Sequence, residues 1–206
     1  MCQNKSTTSL GFTEEKVPVG SHICQIFSDS DERNDSLLKF LLSGVREGER
    51  TTGFSDELSE QTLREYFSSN DIEYEEHKKN NVVSLNGARE VYIPDSIFDP
   101  DRMLDTLRNF HRESLELGFT AARAIGEMVP EVQNVPGGSR LTEYESRITL
   151  LLKEYPVTTV CQYDTNLFSG SVIMDVLRVH PHVIIRGAVV HNPFYLQPHE
   201  VLGSGS

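Results

Sequence analysis

Three cysteines and seven histidines are the residues of this 206-residue chain best suited to metal or redox chemistry. His22 and Cys24 stand two apart, so on an extended segment their side chains share a face. Cys161 would join them if its strand lies beside theirs, and His180, His182 or His191 would complete a donor set. Thiolate and imidazole suit borderline metals, but the tight Cys-x-x-Cys or His-x-x-x-His spacing that makes such motifs specific is missing. Unpaired cysteine is also among the most buried residue types, so the balance favours Cys24 and Cys161 as small core residues. No cofactor and no metal is assigned from the sequence. Redox or metal sensing through Cys24 and Cys161 is kept as an alternative.

The carboxylates give no catalytic pair. Glu127 ends the run Arg123-Ala124-Ile125-Gly126-Glu127, where a lone acid can hold water or Mg²⁺; its plain reading is a salt bridge to Arg123 or Arg140. Thr142-x-x-Glu145 fits a capping box, which makes Glu145 a helix cap before anything else. A phosphate-cradling loop needs glycines and a lysine. Residues 28–35 instead hold Asp29, Asp31, Glu32 and Asp35, with no glycine, and like-charge repulsion in a cleft opposes a phosphate there. No Gly-x-Ser-x-Gly turn occurs within the fold. The chain reads as a protein without enzymatic activity.

The elements that would position these groups alternate in type. Apolar strand-like segments fall at residues 22–27, 50–54, 82–85, 119–125, 157–163 and 183–190. Leu37, Leu38, Leu41, Leu42 and Val45 recur at helical spacing, as do Leu58, Leu63, Tyr66 and Phe67. Asp99-Pro100 starts a helix carrying Met103, Leu107 and Phe110. Tyr144, Ile148, Leu151, Leu152 and Tyr155 mark another, and a short one through Val176 and Leu177 stops before His180-Pro181. This pattern predicts an α/β domain: a mainly parallel sheet with helices on both faces. In such sheets ligands bind beyond the carboxyl ends of the strands. His22, Cys24, Gln25, Arg123, Glu127, Cys161, Tyr163, Asp164, Asn192 and Tyr195 are therefore the candidate ligand-binding residues.

With 19 Lys and Arg against 31 Asp and Glu, the chain has a formal charge of −12. That surface repels nucleic acid and anionic lipid. No apolar run is long enough to span a bilayer, and the polar, partly acidic start is unlike a secretory signal. The odd, scattered cysteines suit a reducing compartment, so the expected location is the cytoplasm. Residues 1–16 read as a loose segment, 17–202 as one domain and 203–206 as a linker.

Seven stretches, in order, carry a resemblance to a known family. They are Gly20-Ser21-His22-Ile23-Cys24-Gln25-Ile26-Phe27; Gly44-x-x-x-Gly48-Glu49; Arg123-Ala124-Ile125-Gly126-Glu127-Met128; Glu143-Tyr144-Glu145; Cys161-Gln162-Tyr163-Asp164; Val176-Leu177-Arg178-Val179-His180-Pro181; and Asn192-Pro193-Phe194-Tyr195. Together they resemble the MEDS sensory domains, over about residues 17–201. The resemblance implies a RecA/KaiC-like three-layer fold lacking its phosphate loop. It also implies a sensory role: detection of a small molecule such as a hydrocarbon derivative, signalled to a transcriptional or histidine-kinase output, either a partner protein or a fused domain. The competing expectation is an interaction module without a small-molecule ligand, using the same fold to form a homo-oligomer or to bind a partner.

Overall fold

The computed structural model describes residues 7–203. Its centre is β7 (Val157–Asp164), a strand buried on both faces. Val157, Thr159, Cys161 and Tyr163 alternate with Thr158, Val160 and Gln162, so two cores form on opposite sides of one strand. β3 (His22–Phe27) and β6 (Ala122–Glu127) flank it in parallel. β4 (Arg50–Phe54) and β5 (Val83–Asn86) extend the sheet beyond β6. β8 (His182–Ile185) and β9 (Ala188–His191) extend it beyond β3, giving the order β5-β4-β6-β7-β3-β8-β9.

Helices cover both faces, as expected. α1 (Ser30–Arg46) and α2 (Glu60–Ser68) pack Leu37, Phe40, Leu41, Leu63 and Phe67 against Ile23, Ile125 and Val160. On the other face, α5 (Pro100–Glu116), α6 (Leu141–Leu151) and α7 (Gly170–Val179) bring Met103, Leu107, Tyr144, Ile148 and Val176 onto Cys24, Ala124 and Cys161. Asp99 caps α5 as its sequence indicates, accepting from the Asp101 and Arg102 amides. Shorter helices α3 (Tyr74–Lys79), α4 (Ala88–Tyr92) and α8 (Pro198–Leu202) complete the set.

Four expectations are corrected. The segment 183–190 is two antiparallel strands, not one, because Arg186 (φ 49°) and Gly187 (φ 78°) both adopt left-handed angles and reverse the chain. The strand expected at 119–125 runs Ala122–Glu127, since Gly118 (φ 89°) ends α5 and the next residues only return the chain to the sheet. Thr142 and Glu145 form no capping box: a 3₁₀ turn, Gly138–Arg140, leads into α6, so Thr142 and Glu145 already lie inside the helix. Within the segment expected to be loose, Thr7–Ser9 (β1) pairs with Lys16–Pro18 (β2), and Thr8 and Leu10 are buried. Residues 1–6, and 204–206 of the expected linker, lie outside the described residues.

Candidate functional site

Register decides which sequence candidates meet. Cys24 lies directly opposite Cys161 across β3 and β7, and His22 lies one pleat before Cys24 on the same face. α6 crosses above and lowers Glu145 onto them, while His180, at the end of α7, closes the group from the side. His22 Nε2 is 3.2 Å and His180 Nε2 3.3 Å from Glu145 Oε2. Cys161 Sγ is 3.5 Å from both Glu145 Oε2 and His22 Nε2. Tyr163 donates its hydroxyl to the other oxygen, Glu145 Oε1. His22, Cys161, Glu145, His180 and Tyr163 are all buried.

The outward-facing ring nitrogens are anchored. His180 Nδ1 lies 2.8 Å from the Val176 carbonyl, which only accepts, so Nδ1 carries a proton. Nε2 has no hydrogen-bond partner of acceptable geometry. His22 Nδ1 lies 2.9 Å from Thr149 Oγ1, and Tyr195 in turn interacts with Thr149. The two imidazoles pack with centroids 4.1 Å apart.

Burial, aided by His180, lowers the His22 pKa to about 4, so this ring is neutral at pH 7. Burial pushes the Glu145 carboxyl up, but His180 and His22 outweigh it and hold the group well below the ordinary carboxylate range. Burial and the Glu145 charge push both the Cys24 and Cys161 thiols up. The interior thus holds an ionised carboxylate beside a neutral His22 ring and two thiols. A thiol raised in this way is a poor nucleophile, which weakens redox sensing by these cysteines.

The remaining candidates are placed elsewhere. Gln25 and Arg123 point to the opposite face: Gln25 donates to Ser36 Oγ and accepts from Gln162. Arg123 donates to Glu49 Oε2 at 2.6 Å and to the Ser9 carbonyl. Glu127 does lie at a carboxyl strand end, but its ion-pair partner is Arg33, at 2.5 Å, rather than Arg123 or Arg140, and Ser55 also donates to it. Asp164 accepts from the Asn166 amide in a loop. Asn192 donates to the Leu177 and His180 carbonyls and so fixes the corner that carries His180.

The site therefore departs from the strand-end rule. It lies within the sheet's helical layer, and a cleft of about 240 Å³ lined by Gly20, Ser21, His22, Thr149, Pro181 and His182 opens beside it at the amino ends of β3 and β8. Glu145 is the site residue that sequence reasoning missed. The signal for it was present, because Glu143-Tyr144-Glu145 is among the stretches that carry the family resemblance, as is the segment ending His180-Pro181.

Comparison with solved structures finds the same architecture in a KaiC-like protein from the hyperthermophilic archaeon Pyrococcus horikoshii OT3. The TM-score is 0.57 at 15% identity, covering 86% of this chain and 79% of that one. The flagellar accessory protein FlaH from Methanocaldococcus jannaschii is similar, with a TM-score of 0.57 at 10% identity, covering 84% of this chain and 76% of that one. At such identities the likeness shows the fold alone. A search of curated protein sequences finds no match. The family model for MEDS, the methanogen/methylotroph, DcmR sensory domain, matches residues 21–181, which hold His22, Glu145, Cys161 and His180 but stop short of Asn192 and Tyr195. A KaiC-like chain matched over that span, with the buried cluster inside it, belongs to the MEDS family of sensory domains.

Proposed function

We propose that this domain detects a small molecule at the buried His22–Glu145–Cys161–His180 cluster and passes the change to an output, either a partner protein or a fused transcriptional or histidine-kinase module. The observation that carries this reading is the cluster's position. An ionised carboxylate and two imidazoles replace apolar packing beneath α6 and α7, where an unpaired buried polar atom costs about 1–3 kcal/mol. Groups kept at that cost are the ones to examine first for binding. The adjoining cleft suits a molecule of a few heavy atoms, such as a short hydrocarbon derivative. Membership of a sensory-domain family supports the same reading.

Nucleotide hydrolysis fits less well. The loop between β3 and α1 is only Ser28-Asp29, and Asp29 itself caps α1, accepting from the Asp31 amide. Carboxylates thus occupy the helix N-terminus that a phosphate would need.

Melting of the purified chain across short alcohols, carbonyl compounds and halomethanes tests the proposal. A molecule present at a hundred times its Kd should stabilise the fold by about 2.7 kcal/mol, and Glu145→Gln should abolish the response. A panel without any shift overturns a ligand of this class.

A further inference from the structure

We propose that His22 Nε2, His180 Nε2, Glu145 Oε2 and Cys161 Sγ together form a tetrahedral site for one zinc-like divalent cation. The inference rests on the sensory reading only in assigning that cluster as the sensing site.

Geometry supplies the first argument. Zinc bonds of about 2.0–2.3 Å at tetrahedral angles place neighbouring donors about 3.3–3.8 Å apart. The separations of 3.2, 3.3, 3.5 and 3.5 Å among these atoms already approach that spacing, and all four atoms lie within 4.8 Å of one another. Three groups converge on the single oxygen Glu145 Oε2, and His180 Nε2, fully buried, is left without a hydrogen bond. Hydrogen bonding thus leaves one of the four donor atoms, His180 Nε2, unsatisfied. A cation at the centre of the cluster would give every one of these atoms a partner.

The outer contacts are those that metal-bound histidines need. Each ligating imidazole must hold its other nitrogen against a fixed group, which sets tautomer and orientation. His180 Nδ1 has the Val176 carbonyl and His22 Nδ1 has the Thr149 hydroxyl. Tyr163 occupies Glu145 Oε1, which leaves Oε2 as the one free carboxylate oxygen. Two nitrogens, one sulfur and one oxygen exclude magnesium and calcium, which take oxygen alone, and select a borderline cation.

Charge balances as well. On binding, the Cys161 thiol releases its proton to solvent and forms the metal–sulfur bond. Thiolate and carboxylate then neutralise a dication between two neutral rings. The ion would tie β3, α6, β7 and the end of α7 together, so loading and release would alter the packing of four elements at once.

Cobalt titration of the folded, chelator-treated chain is the experiment. The expected result is one Co²⁺ per chain, with the absorption of a tetrahedral site and a thiolate charge-transfer band, displaced by Zn²⁺. Cys24→Ser should keep both features and Cys161→Ser should lose the charge-transfer band. Thr149→Val should weaken binding by about 10–100-fold, with circular dichroism confirming that each variant folds. Absence of cobalt uptake by the folded chain overturns the site, as does a charge-transfer band that survives Cys161→Ser. A small-molecule response that persists without metal uptake would sink the metal site and leave the sensory reading intact; uptake with a flat small-molecule panel would do the reverse.

Discussion

His22 is the residue through which acid should reach the site. Its folded pKa, about 4, lies below the ordinary value of 6.5, mainly because burial disfavours the imidazolium. In the metal-free chain, the unfolded state therefore binds more protons between these two values. Stability is fully present above pH 6.5 and falls as the pH drops toward 4, by up to about 3 kcal/mol. Glu145, also depressed, adds a loss of the same sign at lower pH. Urea denaturation of chelator-treated protein at pH 7, 5.5 and 4.5 should show this decline, and His22→Gln should flatten it above pH 4.5. A wild-type stability independent of pH over that range would refute the assignment. His22, Cys24 and Cys161 were legible in the sequence because strand periodicity fixes faces. Glu145 was not, because Thr142-x-x-Glu145 also matches a cap, and only the 3₁₀ entry at Gly138–Arg140 shows that the helix has already begun.

Among the elements, the β8–β9 hairpin matters because His182 begins β8 just after His180, and Asn192 follows β9 to hold the His180 carbonyl. The sequence reads as one strand because residues 183–190 are apolar apart from Arg186-Gly187, a weaker reversal signal than Asn-Gly. Arg186 pays no penalty only if its left-handed φ of 49° is tolerated, and arginine tolerates that region poorly. Arg186→Asn should therefore stabilise the fold by about 0.5–1 kcal/mol. Gly187, at φ 78°, has no neighbour that a Cβ would strike, so Gly187→Ala should cost about 1–2 kcal/mol from backbone strain alone. Chemical denaturation midpoints give both values, and a destabilising Arg186→Asn would show that the arginine side chain contributes more than its strain. Strand positions elsewhere were read closely: His22–Phe27 and Arg50–Phe54 match the sequence expectation, and both are buried along most of their length.

At the scale of the whole molecule, the carboxyl ends of the strands are filled from within. Arg33, on α1, reaches across the carboxyl ends of the strands to Glu127 at 2.5 Å and Glu57 at 2.7 Å, with its side chain 2% exposed. Together with Ser55 on Glu127, this ion-pair group closes the edge where the strand-end rule places a ligand, which helps explain why the polar cluster lies at the other end of β3. Two consequences follow from the charges. Millimolar MgATP should leave the melting temperature unchanged, because Asp29, Asp31 and Glu32 surround the α1 N-terminus and the nearest guanidinium is committed. Arg33→Ala should leave Glu127, 13% exposed at its side chain, as an uncompensated carboxylate. Removing one partner of a buried pair costs about 3–5 kcal/mol, and solvent around Glu57 places this case at the low end. A chain of this size loses about 2–4 °C per kcal/mol, so melting should fall by about 6–12 °C. If Arg33→Ala melted like the parent, or if MgATP stabilised either protein by several degrees, the edge would be open and a nucleotide role would displace the sensory one.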